Sequence, residues 1–409
     1  MNLREEALEL HRAHQGKLAV ASKVKVSNAK ELSLAYSPGV AEPCSEIAKD
    51  AELTYEYTSR GNMVAVVSDG TAVLGLGDIG PEAALPVMEG KAILFKNFSD
   101  IDAFPICLAT KEVDEIVQAV KWLEPTFGGV NLEDISGPRC FEVEAKLKAA
   151  LQIPVFHDDQ HGTAVVCLAA LLNALKLVGK ELATARIVIN GAGAAGISIA
   201  KLLMAAGATP ELMKLCDREG ILAPGSLNIN ADQAEIAVIT NAIGVAGNLA
   251  EAMVGTDVLI GVSAGNIVNS AMVASMAREG IIFALANPVP EIMPEVALTA
   301  GAVVVGTGRS DYPNQVNNVL GFPGIFRGTL DVRAREINET MKLAAARAIA
   351  GLVEDLELAP EYIIPSPFDR RVVSAVALAV AQAAMDTEVA RTPKTLLELE
   401  EGLRKRGLL

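Results

Sequence analysis

Aromatic residues make up only 4% of this chain, and its five cysteines, at positions 44, 107, 140, 167 and 216, include no Cys-x-x-Cys pair. An odd number of dispersed cysteines argues against a disulfide framework or a zinc cluster and reads as reduced, mostly buried small side chains. Histidine is as scarce, with four residues, two of them at positions 11 and 14, so a histidine-centred dehydrogenase has few candidates. Basic charge is also short: 35 Lys and Arg against 50 Asp and Glu leave a net charge of −15. That balance argues against nucleic acid or an anionic membrane as a partner, yet allows a small anionic substrate held by a few local cations. The N-terminus is a charged amphipathic helix start without an apolar signal core, and no later run looks long and uncharged enough to span a bilayer. The expectation is a cytoplasmic protein.

What the chain does have is aliphatic: 51% of its 409 residues are hydrophobic, enough for two domains built from stacked βαβ units. Its most informative stretch is Arg186-Ile-Val-Ile-Asn-Gly191-Ala192-Gly193-Ala194-Ala195-Gly196, a β-branched run entering a glycine-rich turn with a helical pattern after it. Gly191 permits a tight turn, Gly193 lets backbone approach a pyrophosphate, and Gly196 lets the helix pack on the strand. A second strand ends on Asp217, 21 residues after Gly196, close to the spacing of an acid that holds the adenosine ribose. Gly75-Leu-Gly77-Asp-Ile-Gly80 matches the same pattern, but Pro81 and Pro86 interrupt the helix it would need, and it reads as a turn between strands.

Around these motifs the pattern divides the chain. Residues 1–160 mix helices with short strands at 63–67, 103–108, 129–132 and 153–156; residues 161–385 begin with an apolar helix at 163–177. Strands at 187–189, 213–216, 258–261, 281–284 and 303–306 then alternate with helices, the mark of a doubly wound parallel sheet. Helices are expected at 332–356 and 372–384, and residues 386–409 form a helical tail. The fold class is α/β: an N-terminal catalytic domain joined to a Rossmann-like domain. At two strand ends, Gly261-Val-Ser-Ala-Gly265-Asn266 and Asn287-Pro-Val-Pro290 would line a ligand or simply turn the chain.

Adjacent acids follow two strands of the first domain, Glu133-Asp134 and Asp158-Asp159. Oxygen ligands converging from two loops suit Mg2+ or Mn2+, although Asp159 could instead cap a helix. His157-Asp-Asp-Gln-His161 has the spacing of a zinc-binding helix, but Gly162 breaks it and the central acid is not Glu. Lys91 stands in an apolar stretch, where desolvation lowers an amine's pKa and can make it a base. Tyr36 stands at a turn, where its hydroxyl could serve as an acid; singly, each also reads as an ordinary snorkelling or half-buried side chain.

Taken in order, Tyr36-Ser-Pro-Gly-Val, Ser68-Asp-Gly-Thr-Ala-Val, Gly90-Lys91-Ala, Asn131-Leu-Glu133-Asp134-Ile, His157-Asp-Asp159-Gln-His-Gly-Thr163, the 191–196 turn, Ala286-Asn287-Pro and Gln315-Val-Asn317-Asn318 resemble the malic enzymes, in their short bacterial form. The resemblance covers about residues 10–385. It implies oxidative decarboxylation of (S)-malate to pyruvate and CO2 with NAD or NADP and a divalent cation. Lys91 then resembles the general base, Tyr36 the acid that protonates enolpyruvate, and Asp158 a partner in the proton relay. Glu133, Asp134 and Asp159 resemble the metal ligands, and Asn287 and Asn318 groups that hold malate or the nicotinamide ribose. A malolactic enzyme or an oxaloacetate decarboxylase would use the same site, and a nucleotide sensor without turnover is the reading from another class. A homodimer through the N-terminal helices is also implied. The larger malic enzymes place a carboxylate-binding arginine soon after the Asp-Gly turn, whereas here Thr71-Ala72-Val73 follows, so Arg60 or the turn around Gly77 is expected to replace it. Asp217 favours NAD, and Arg218 beside it is of the type that accepts a 2′-phosphate.

Overall fold

The computed structural model describes residues 2–73 and 75–409; Met1 and Leu74, the latter in the apolar run before Gly75, lie outside them. Two sheets organise the chain. In the first, β1 (Met63–Ser68), β2 (Asp102–Cys107), β3 (Gly129–Leu132) and β4 (Val155–His157) run parallel in the order β2-β1-β3-β4. The second holds β5 (Ile187–Asn190), β6 (Met213–Asp217), β7 (Gly220–Ile221), β8 (Val258–Gly261), β9 (Gly280–Ala284) and β10 (Ala302–Thr307) in the order β10-β9-β8-β5-β6-β7. All pair in parallel except β7, a two-residue strand that pairs antiparallel with β6 and that carries too little sequence to be read as a strand. Strands β3, β5 and β8 are buried throughout, as expected where helices cover both faces of a sheet. From β5 the chain winds to β6 on one side and to β8 on the other, so the strand order reverses between β5 and β8, where a crevice opens at the carboxyl edge.

Three helical expectations need correction. The turn at Gly75 to Gly80 leads into a helix, Pro81–Ser99, and not into a strand. Pro81 occupies the first helical turn, where a missing N–H removes no bond, and Pro86 sits on the exposed face. Of the helix expected at 332–356 only Glu339–Ala350 forms; the helix before it, Phe322–Asp331, lies outside that range. Between the two stands Arg333 in the left-handed region (φ 51°), and the second helix is started by Asn338, whose side chain accepts the N–H of Met341. The stretch Asp158–Leu177 is long and apolar enough to cross a membrane, but it is mostly buried as the central helix of the core.

That core joins the two halves. Side chains of the first sheet and its helices (Val64, Phe95, Phe156) share one apolar cluster with Leu168 and Leu171 of the central helix and with Ile187 and Ile260 of the second sheet. The helix Phe322–Asp331, which follows the second sheet in sequence, packs against the helix of Lys91 through edge-to-face contacts of Phe95 with Phe322 (4.7 Å) and Phe326 (5.2 Å). By contrast, the N-terminal helices Leu3–His14, Ala29–Ala35 and Ala41–Lys49 bury none of their residues. Cys140, Cys167 and Cys216 are buried free thiols, Cys107 is half-buried and Cys44 is exposed.

Candidate active site

Strands β1, β3 and β4 are neighbours and parallel, so the segments that follow them emerge at one edge. Glu133 still belongs to the ladder, its N–H donating to Val67 O at 2.9 Å. Asp134 turns the chain in the left-handed region (φ 54°), and its carbonyl accepts the N–H groups of Thr71 and Ala72. After β4 the residues Asp158–Gly162 form a π-helical turn that runs into the helix Thr163–Leu177. A Cβ on Gly162 would fall 1.8 Å from Asp158 Oδ1 and 3.2 Å from Asn318 Cβ, which places Asn318 beside Asp158.

Lys91 comes from the helix opposite and is 7% exposed. Its Nζ lies 2.6 Å from Asp158 Oδ2, 2.9 Å from Glu133 Oε1 and 4.3 Å from the centre of the Phe322 ring. Burial alone would lower the amine's pKa, as its apolar setting suggested; Asp158 and Glu133 more than offset this, and the pKa is raised. The expected depressed lysine is therefore corrected: with nothing else bound, its neighbours keep it an ammonium. Burial acts the other way on the acids. It pushes Asp158 up to about 7 against the pull of Lys91, and Glu133 likewise to about 7. Asp134 rises to about 9, through burial and then the charge of Asp159, while Asp159 itself rises to about 6.

Glu133, Asp134 and Asp159 each bring a carboxylate oxygen within 4.8 Å of the others. Asp134 Oδ2 is buried with no hydrogen-bond partner, an orphaned acceptor facing hard anionic oxygens, and this donor set fits a divalent cation such as Mg2+ or Mn2+. Asp159 does not cap the helix; its Oδ2 accepts the Asp134 N–H at 2.8 Å and ties the two acidic loops together. The histidines are not placed as ligands of a zinc helix. His157 is fully buried with both ring nitrogens unpaired, and burial pushes it down to about 4. His161, likewise lowered to about 4 by burial, has Nε2 2.8 Å from Glu144 Oε1 and Nδ1 3.1 Å from Lys342 Nζ. A neutral ring donating from Nε2 and accepting at Nδ1 satisfies both contacts.

Glu144 and Lys342 carried no local signal, because they reach the turn from the helices Arg139–Ala150 and Glu339–Ala350. Asn131, in the Asn131-Leu-Glu133-Asp134 motif, donates from Nδ2 to Glu133 Oε2 at 2.9 Å and holds that carboxylate in place.

The glycine turn takes the form its spacing implies. Gly191 has φ 118° and a Cβ there would meet Val262 O at 2.5 Å; a Cβ on Gly196 would fall 1.8 Å from Gly191 O. Gly193 faces open space, and the helix Ala194–Ala205 starts immediately after it. Ala192 is buried beneath the turn, and Ala194 and Ala195 form the first helical turn, where free N–H groups point outward. Asp217 closes β6, one oxygen accepting the Glu219 N–H at 2.8 Å, with Arg218 next to it. Asn287 follows β9 and packs close to Gly308, whose Cβ would lie 2.6 Å from Asn287 Nδ2. A Cβ on Gly75 would lie 3.2 Å from Pro288, so the second glycine turn spans from the first sheet to this loop.

Two expected residues lie elsewhere. Arg60 precedes β1, at the edge of the sheet away from the acids, and β1 spans roughly 20 Å at the rise of a strand. Its guanidinium is occupied by Phe127 O, Thr54 Oγ1 and Glu124 O above the Tyr55 ring, so it is a structural arginine and not a substrate ligand. Tyr36 ends the helix Ala29–Ala35, is 67% exposed and makes no side-chain hydrogen bond among the described residues. A single chain leaves it outside the buried group around Lys91.

Residues 15–148 match the family "Malic enzyme, N-terminal domain", and residues 160–385 match "Malic enzyme, NAD binding domain". The chain is 61% identical to a bifunctional malic/malolactic enzyme of Bacillus subtilis, over 99% of this chain and 98% of that one. It is 57% identical to an NAD-dependent malic enzyme of Geobacillus stearothermophilus, over 92% and 78% of the two chains. Its structure is similar to that of a malic enzyme from Pyrococcus horikoshii with a TM-score of 0.95 and 49% identity, covering 99% of this chain and 96% of that one. A lysine gripped by carboxylates beside a dinucleotide turn, and matches that together span most of the chain, place it in the malic enzyme family.

Proposed function

We propose that this protein oxidatively decarboxylates (S)-malate to pyruvate and CO2 with reduction of NAD(P)+. The observation that carries the reading is Lys91 Nζ buried between Asp158 and Glu133, at the same edge as three clustered carboxylate oxygens. When bound, the nicotinamide accepts a hydride, and a divalent cation held by Glu133, Asp134 and Asp159 polarises the substrate's hydroxyl and carboxylate oxygens. Lys91 takes the proton of the C2 hydroxyl at Nζ, a role open to it only when its carboxylate neighbours are neutralised by other positive charge. Asp158, in direct contact with Nζ, passes that proton on. Asn318, beside Asp158, orients the substrate, and the turn at Gly77, where a Cβ would meet open space, leaves room for malate's second carboxylate. Asp217 favours NAD, with its ribose hydroxyls, over a 2′-phosphate.

The N-terminal helices support a homodimer. They bury nothing within the chain, yet Leu8, Leu10, Leu32, Leu34 and Val40 are exposed on them or beside them. A second copy seated on this arm would cover them together with Tyr36, the expected acid for enolpyruvate, which needs burial to act. The free thiols and the buried central helix support a cytoplasmic location.

Purified protein with malate, Mn2+ and either NAD or NADP tests the function. Absorbance of the reduced cofactor is expected to rise, to depend on metal, to vanish with chelator and to be matched by pyruvate. The likeness to a bifunctional malic/malolactic enzyme makes lactate the second product to assay; lactate without net cofactor reduction would replace this reading with the malolactic one.

A further inference from the structure

Beneath the carboxyl edge of the second sheet lies an acid with no part in the chemistry above. Glu291 is fully buried, at 0% exposure, and its two oxygens serve two different loops. Oε1 accepts the N–H of Ser263, which follows β8, at 2.9 Å. Oε2 accepts the N–H of Ala286, which follows β9, at 3.0 Å. The same segment is stitched to the β8 loop through its backbone, Asn266 donating to Pro290 O and Val268 to Glu291 O, both at 3.0 Å. From the other side Asn190, at the end of β5, donates through Nδ2 to Ser263 Oγ at 2.7 Å. The ends of β5, β8 and β9, three neighbours in the sheet, are thus tied together through one side chain and one hydroxyl.

Room for the carboxylate is made by glycine. A Cβ on Gly261 would lie 2.4 Å from Glu291 Cδ and 2.6 Å from Oε1, and a Cβ on Gly265 would lie 2.5 Å from Val289 O. A buried acid is an expensive way to fill a core, since removing its charge from water is unfavourable unless its oxygens are filled. What it supplies that an apolar residue cannot is a fixed separation between two backbone N–H groups on separate loops.

We propose that Glu291 is a positioning residue for the nicotinamide half of the cofactor. It sets the β8 and β9 loops, and with them Ser263 and Asn287, at the edge of the crevice where the redox ring lies. The inference rests on the reading that NAD(P) spans the β5–β8 crevice, its adenosine half on Gly191, Gly193, Gly196 and Asp217. That half lies towards β6 and needs no help from the clamp.

Glu291→Gln tests it. The amide keeps the size of the side chain but presents an NH2 to one of the two N–H donors. NADH and ADP-ribose, which lacks the nicotinamide, are titrated calorimetrically into wild type and variant. NADH affinity is expected to fall at least tenfold and ADP-ribose affinity to stay within twofold, with the KM for NAD rising more than that for malate. Equal losses for the two ligands would mean a general structural role, and unchanged NADH affinity would mean no role; either overturns the proposal. Gly261→Ala pushes the same carboxylate from a different strand, so it is expected to reproduce the selective loss, and it decides the matter if Glu291→Gln does not fold. A wild-type protein that bound ADP-ribose but not NADH would remove the cofactor reading and the clamp with it, an outcome distinct from failure of the variants alone.

Discussion

At the scale of single residues, the chemistry of this site is set by mutual charge. Lys91, Glu133, Asp134, Asp158 and Asp159 were all visible in the sequence as residues of the right type. Their effect on one another was not, because it follows from β3 and β4 being adjacent strands. A lysine read as desolvated and therefore basic proves to be held protonated by Asp158 and Glu133. Arg60 was misplaced for a related reason: sequence distance from the Asp-Gly turn says nothing about which edge of β1 a residue occupies. The raised carboxyls give a signed pH dependence. Folded-state values of about 6 for Asp159, about 7 for Glu133 and about 9 for Asp134 exceed the roughly 4 of an unfolded acid, so the metal-free protein holds more protons than the unfolded chain across that range. This contribution to stability is fully present below about pH 4 and is lost as pH rises towards 9. The Tm of metal-free protein is therefore expected to fall as pH increases from 6 to 9 relative to protein with saturating Mn2+. Mn2+ binding is expected to release protons and to tighten over the same window; calorimetry in buffers of different ionisation enthalpy checks both, and affinity independent of pH would remove these acids as ligands.

At the scale of elements, periodicity located the strands well, because buried parallel strands are short apolar runs bounded by turns. It offers no helix over Phe322–Asp331, whose Pro323, Gly324 and Gly328 weaken the helical pattern. Those glycines are there for contact. A Cβ on Gly324 would lie 2.6 Å from Val376 Cβ, and one on Gly328 would lie 2.3 Å from Ala377 O, both on the helix Arg371–Asp386. Close helix approach outweighs the weak helix propensity of glycine, a tertiary effect that no local window contains. Gly328→Ala is accordingly expected to destabilise the protein by roughly 1–3 kcal/mol or more through overpacking, although the same change raises helix propensity. Thermal or urea unfolding checks the sign, and a variant more stable than wild type would show that the two helices can separate without penalty.

At the scale of the whole molecule, the two sheets share one core while the N-terminal arm is left uncovered. If the arm holds the proposed dimer together, deleting residues 2–26 is expected to leave a monomer and to lower malate turnover while cofactor binding persists. Sedimentation velocity and cofactor titration separate these effects, and a truncated protein that remained dimeric and fully active would remove the arm from both roles. The chain leaves the first sheet for the second half through the π-helical turn Asp158–Gly162, which winds one residue more per turn than an α-helix. Because that surplus residue sets the rotational phase between β4 and the helix Thr163–Leu177, losing it would swing Asp158 and Asp159 by about 100° about the helix axis. Exchanging one side chain in the turn alters the acid or the ligand singly, whereas losing one residue there displaces both together. The chemistry at this turn therefore depends on a count of residues as well as on their identity.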